Sequence, residues 1–210
     1  MFHLAGVTLE VNFIIENEQS AEGGFSAKLL AIASAKAGGS VKYSSEQVHK
    51  VTMIDPKDGT IVGTIDLGGA PEQSASDSKG HLYVDIEDKN NIAVVDVKTM
   101  KVTAYYDLGE KGDGPAGLGL DAKNHILFAM CHSQNCVILN ADDGKILATL
   151  PIGNGTDGGG FNPKTMEAFS SQRDGMLTII KEKSPTRFEV EQTCRPNQAA
   201  NLRRSIPRTM

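Results

Sequence analysis

Tryptophan is absent from this chain, and aromatic residues make up only 5% of its 210 positions. A core has to be assembled from aliphatic side chains, and repeats built on a Trp-Asp signature are excluded. Cysteine is scarce and odd in number: Cys131, Cys136 and Cys194 provide no disulfide framework. Long apolar runs are missing too. Residues 29–33 are apolar, but they are too few to span a bilayer. Positive charge is not in excess, since the formal net charge is −5, so nucleic acid is not an expected partner. No nucleophile elbow, phosphate-binding loop, dinucleotide fingerprint or His-Glu-x-x-His motif occurs, and no catalytic residue is singled out.

What the chain does contain is a repeat of about forty residues. Val51-Thr-Met-Ile-Asp55 returns as Ile92-Ala-Val-Val-Asp96, then as Cys136-Val-Ile-Leu-Asn140, and in degraded form as Leu177-Thr-Ile-Ile-Lys181. A fixed period in this range marks a repeat architecture. Each short apolar run suits a strand buried on both faces. It is followed by a clean alternation: Ile61, Gly63, Ile65, Leu67; then Val102, Ala104, Tyr106, Leu108; then Ile146, Ala148, Leu150, Ile152. Period two is the signature of a strand, and Ile65, Tyr106 and Leu150 are the equivalent positions expected to be buried. Asp58-Gly59, Thr99-Met100 and Asp143-Gly144 lie where tight hairpin turns are needed. Two further strands per copy flank a second turn: Asp77-Ser-Lys-Gly-His81, Asp121-Ala-Lys-Asn-His125 and Asn162-Pro-Lys-Thr-Met166. Four short antiparallel strands per copy and no ten-residue helical periodicity predict an all-β chain, a β-propeller arc of about three and a half four-stranded blades, an incomplete ring.

The unit resembles the YVTN-type propeller repeat of bacterial proteins. The matching residues are Ile54-Asp55, Asp58-Gly59, Ile65 to Gly68, Pro71 and Asp77-Ser-Lys-Gly80; Tyr83-Val-Asp-Ile and Leu127-Phe-Ala-Met stand where the signature tetrapeptide belongs. The resemblance covers residues 50–193 and implies a periplasmic or extracellular location. Residues 1–49 form an atypical segment without the repeat, in which 25–37 has the composition of a short helix. A cleaved export signal is not convincing there, because Glu10, Glu16, Glu18 and Glu22 precede the apolar stretch. As given, the chain would be cytoplasmic. Residues 194–210 form a basic tail with Arg195, Arg203, Arg204 and Arg208 and no acid, expected to be disordered. The repeat pattern is lost abruptly at both ends and breaks off in mid-blade at Cys194, as in a truncated or frame-shifted member of a larger propeller. A natural short form completed by self-association is the alternative.

In propellers the blade-joining loops and those between the second and third strands share one face. Projected onto this chain, that face collects Glu72, Glu87, Asp113, His132, Asp157 and Arg173 as candidate ligand-binding residues, with Asp88, Cys131 and Gln172 beside them. Gly112 to Gly114 and the glycines of 154–160 let the backbone approach a ligand or simply turn. Cys131 and His132, with Cys136 near, form the most metal-like cluster, short of the four ligands of a closed zinc site. A ring of Glu72, Glu87, Asp113 and Asp157 has the chemistry for Ca²⁺. His81 and His125 recur in the turns of the opposite face. No cofactor is expected, with Ca²⁺ or Zn²⁺ the open alternatives. The leading expectation is a non-catalytic scaffold for a small molecule or protein. The rival is a lactonase-like hydrolase or redox-associated enzyme with a metal at the channel mouth.

Overall fold

The computed structural model describes residues 2–4, 7–19, 25–37, 49–55 and 58–195, the strands within 2–37 by their backbone alone. Two compact units divide the chain, Met1–Asp107 and Leu108–Met210. The first unit has two antiparallel sheets. One runs through β1 (Phe2–Leu4), β2 (Val7–Gln19), β3 (Phe25–Ala37), β4 (Lys50–Ile54) and β5 (Ile61–Asp66); the other through β6 (Pro71–Ser76), β7 (His81–Ile86), β8 (Asn91–Asp96) and β9 (Lys101–Asp107). The second unit repeats the four-stranded meander twice. Its first sheet is β10 (Pro115–Asp121), β11 (Ile126–Cys131), β12 (Asn135–Asn140) and β13 (Ile146–Pro151); its second is β14 (Thr156–Asn162), β15 (Glu167–Gln172), β16 (Leu177–Ser184) and β17 (Arg187–Cys194). The chain is all-β, and each four-stranded meander is a propeller blade.

Blades and sequence copies are out of step. Each copy of the repeat begins on the last-but-one strand of a sheet (β4 in the five-stranded sheet, the third strand in the four-stranded ones), and the three full copies end on the second strand of the following sheet. The hairpins between third and fourth strands form because Gly59, Met100 and Gly144 supply left-handed φ angles of 76°, 58° and 72°. Carboxylates one or more residues earlier brace the turns: Asp58 accepts from the Thr60 N–H at 2.9 Å, Asp96 from Thr99 at 2.8 Å and Asp143 from Lys145 at 2.9 Å. Methionine is an unusual occupant of the left-handed region. Met100 gains contact there, because its side-chain methyl lies where a Cβ on Gly63 would stand, 2.6 Å away.

Each unit has its own core. In the first, Val51, Met53, Ile65 and Leu67 pack against Leu82, Val84, Ile86, Ala93, Val95 and Val97. In the second, Ile126, Phe128, Met130, Cys136 and Ile138 meet Ala168 and Ile180. Phe128 stacks on Phe161 at 5.4 Å between ring centres and takes the edge of Phe188 at 5.9 Å. These pairs do the work that tryptophan performs in aromatic-rich blades.

Three sequence expectations change here. Residues 25–37 are a strand, β3, paired along its whole length with β2 and also with β4. Ladder hydrogen bonds on both edges outweigh the helix propensity of its alanines and leucines. Ile65 is buried, but Tyr106 and Leu150, the equivalent residues of β9 and β13, are only half-buried. And the degraded copy does not stop in mid-blade: β16 and β17 complete the fourth strand of their sheet at Cys194. Of the basic tail, residues 196–210 lie outside the described ones.

The glycines of β10 and β14 have a packing role. A Cβ on Gly117 would fall 2.7 Å from the backbone of Gly158 and Gly159, and one on Gly119 would fall 3.1 Å from that of Gly160. The first strands of the two sheets therefore meet main chain to main chain. Gly160 itself faces open space, with nothing within 4 Å of an added Cβ. Gly117→Ala is expected to cost about 1–3 kcal/mol or more, because rigid backbone must move, whereas Gly160→Ala should change stability by less than about 1 kcal/mol. Urea unfolding of both variants checks this; equal midpoints would contradict the close approach.

Candidate functional site

The turn between second and third strands is held in the same way in three sheets. The residue leaving the second strand donates its N–H to the carbonyl of the residue just before the first strand. Glu87 bonds Ala70 at 2.9 Å, His132 bonds Gly114 at 2.8 Å and Arg173 bonds Gly155 at 2.8 Å. Glu87, His132 and Arg173 are thus structural equivalents, one per sheet, each at the same end. Beside each bond the first strand carries a β-bulge, between Pro71 and Ser74, Pro115 and Gly117, and Thr156 and Gly158. The extra residues at these bulges are Glu72, Ala116 and Asp157 by register. A bulge bends its strand and re-aims a side chain.

Five of the candidates named from the sequence therefore occupy two recurrent positions. In the second unit they come together in one case: Arg173 Nε lies 3.4 Å from Asp157 Oδ1, both exposed. Exposed pairs of this kind contribute little to stability, so these side chains remain available to a ligand. His132 is half-buried against Gly114, whose added Cβ would touch its ring carbons at 3.0 Å. Asp113 is exposed, and its carbonyl accepts from the Ser133 N–H at 3.1 Å. In the first unit Glu72 and Glu87 are half-buried, and Asp88 Oδ1 accepts the Ala70 N–H at 2.7 Å, tying the turn to the approach of β6.

Cys131 and His132 are adjacent along the end of β11. Cys131 is fully buried with its Sγ 3.5 Å from the Ala129 carbonyl, while His132 is partly open to solvent. Successive side chains at a strand end diverge, which separates the two as ligands. Cys136 is buried and all three cysteines are free. Among the described residues no group of three or more His, Cys, Asp or Glu side chains is arranged to hold a metal ion.

At the opposite end of the sheets His81 Nδ1 lies 2.8 Å from Asp77 Oδ2 and His125 Nδ1 lies 2.6 Å from Asp142 Oδ1. Their repetition is less regular than the sequence suggests. His125 has the left-handed φ that Gly80 has, and the carbonyls of both accept from the residue after the third strand, Ala141 and Val97. His81 stands one place later, as the first residue of β7.

Two buried carboxyls escaped the sequence reading. Asp85 sits in β7 opposite the bulge, fully buried, and neither of its carboxylate oxygens has a hydrogen-bond partner among the described residues. Burial pushes its carboxyl well above the usual aspartate range, and the charge of Glu72 pushes it further. The available signal was an Asp interrupting the apolar run Leu82 to Ile86. Glu182, on β16, is the second such group.

Comparison with known proteins bears on the two parts of the chain separately. Residues 1–54 match the trypsin-co-occurring domain 2 family, a stretch that takes in the β2–β3 hairpin and ends with β4. No curated protein matches the chain in sequence. Among solved structures, Kuenenia stuttgartiensis hydrazine synthase is similar with a TM-score of 0.62 at 15% identity, over 79% of this chain and 45% of that one. A chain of the mitotic checkpoint complex gives 0.61 at 14% identity, over 85% and 65%. Saccharomyces cerevisiae Sqt1 gives 0.61 at 9% identity, over 88% and 48%. The chain thus spans between 45% and 65% of the length of these structures. At such identities the likeness shows the fold, that of β-propeller proteins, and the fold alone.

Asp85 provides a test of the buried charge. An acid whose proton is held more tightly in the folded state stabilises the fold below its unfolded value, here 3.8, and loses that contribution as pH rises toward the raised one. Asp85→Asn is expected to match the parent's melting temperature in acid and to exceed it above neutral pH. Parallel declines in the two proteins from acid to alkaline pH would refute it.

Proposed function

We propose that the chain is a non-catalytic β-propeller scaffold that binds a small molecule or protein at the end of its sheets carrying Glu72, Glu87, Asp113, His132, Asp157 and Arg173. The observation behind this reading is the recurrent backbone bond from Glu87, His132 and Arg173. It places one polar side chain per sheet on a rigid turn, and binding residues on loops over a rigid frame are the usual arrangement for recognition. The variety of side chains at the recurrent position also fits recognition better than repeated chemistry. The neighbour from the mitotic checkpoint complex is part of an assembly. A YVTN-type bacterial protein of the periplasm, working as part of a larger propeller or completing one by self-association, is the form of this proposal that the sequence repeat favours.

The competing reading is a lactonase-like or redox-associated enzyme holding Ca²⁺ or Zn²⁺ among such residues of one unit, Asp113, His132 and Asp157 in the second. The scaffold reading expects no hydrolysis of aliphatic lactones above buffer, with or without added Ca²⁺ or Zn²⁺. Robust turnover that disappears in His132→Ala or Asp157→Ala would replace it with the hydrolase. A peptide selected for binding to the chain should lose roughly tenfold or more in affinity to His132→Ala/Arg173→Ala, with the melting temperature unchanged because neither side chain is in a core.

A further inference from the structure

The turn of residues 121–125 and the end of β16 belong to different sheets of the Leu108–Met210 unit, and a single side-chain amide joins them. Asn124 Nδ2 lies 2.8 Å from Asp121 Oδ2 and 2.8 Å from Glu182 Oε1. Asp121 is 1% exposed and Glu182 3%. Asp121 Oδ1 is already engaged by the N–H groups of Lys123 at 2.9 Å and Asn124 at 3.3 Å. Glu182 is fixed on the main chain as well, its N–H donating to the Met166 carbonyl at 3.0 Å. An amide has two N–H bonds, and here each meets one carboxylate. Neither is left for Glu182 Oε2, which is buried without a partner among the described residues.

We propose that Asp121, Asn124 and Glu182 form a proton-dependent latch between the two sheets of this unit, closed while the carboxylate pair holds one proton and loosened when that proton leaves. A protonated Glu182 supplies the donor that its second oxygen lacks, and it removes one of two negative charges sharing a buried site. Among the described residues no cation is placed to take the proton's part. Lys123, on the turn, is exposed. On β16 itself Lys181 reaches the Thr165 carbonyl and Glu167, and Lys183 pairs with Glu189 at 2.9 Å on β17. His125, next to Asn124, faces Asp142. Burial pushes the Glu182 carboxyl up to about 7; the Asn124 bond lowers it and the charge and hydrogen bond of Asp121 raise it.

The direction of the effect follows. The folded state holds the Glu182 proton more tightly than an ordinary glutamate at 4.5, so the latch contributes fully below that value. Its contribution falls as pH rises through about 7. The mechanism differs from the proposed binding surface and does not depend on it. Glu182→Gln keeps an acceptor for Asn124 and adds a permanent donor in place of the proton.

The test is amide hydrogen exchange on the full chain, corrected for intrinsic rate, at about pH 6 and about pH 8.5. In the parent, the amides of Asn124 and Glu182 are expected to exchange about tenfold faster relative to the rest of the unit at the higher pH. In Glu182→Gln that pH dependence should vanish. Asp85→Asn serves as the control that leaves it in place, since Asp85 lies in the other unit. If Glu182→Gln does not fold, ¹³C titration of the parent decides: a Glu182 carboxyl titrating near 7 supports the latch, and one titrating near 4.5 overturns it. Equal pH dependence of exchange in parent and Glu182→Gln would overturn it as well.

Discussion

A four-stranded sheet whose second and third strands are apolar on both faces has no stable existence alone in water. It must hide both faces, and a neighbouring sheet of the same construction is the cover that a tandem repeat provides. Within each unit this requirement explains most of what is seen. Leu82, Val84 and Ile86 from one sheet close over Val51, Met53, Ile65 and Leu67 from the other; Phe128 is wedged between Phe161 and Phe188. With few aromatics and no tryptophan, filling comes from β-branched residues, and closeness comes from omission. Gly117, Gly158 and Gly159 let two first strands touch through their backbones.

Such packing decides which polar groups are usable. At the turns between second and third strands, one backbone bond per sheet fixes the main chain and leaves Glu87, His132 and Arg173 at the rim. Where a carboxyl falls on a covered face instead, it is cut off from water. Asp85 and Glu182 both show the consequence, a carboxyl pushed toward its neutral form. The difference between them is the neighbourhood: Asp85 has no hydrogen-bond donor on either oxygen among the described residues, whereas Glu182 shares one amide with Asp121.

The five-stranded sheet shows how little a blade asks of its first two strands. Its last two, β4 and β5, carry the repeat pattern; its earlier ones lie in residues 1–54, the stretch that matches the trypsin-co-occurring domain 2 family and runs on through β4. Ladder hydrogen bonds are made by backbone and do not depend on side-chain identity. β3 can therefore serve as the partner that β4 needs without any likeness to the repeat, and an unpaired edge on β4 is avoided.

The sequence alone determined the strands, their hairpins and their repetition. Period-two alternation and turn chemistry are local properties, and Asp58-Gly59 or Asp143-Gly144 fold their hairpins wherever they are placed. That the turns carrying Glu87, His132 and Arg173 are equivalent from sheet to sheet was also legible, because loop position follows from strand order. Tertiary structure decided the rest. Residues 25–37 became a strand since β2 and β4 offered two ladders that no local propensity encodes. Tyr106 and Leu150 stayed half-buried where the equivalent Ile65 is buried, because burial depends on what packs over a position as well as on its alternation. Asp121 and Asn124 meet within one turn, but nothing in the spacing brings Glu182 to them; 58 residues from Asn124, it arrives only when two sheets pack. Electrostatics of buried groups is a property of distance and dielectric, and both are set by the fold.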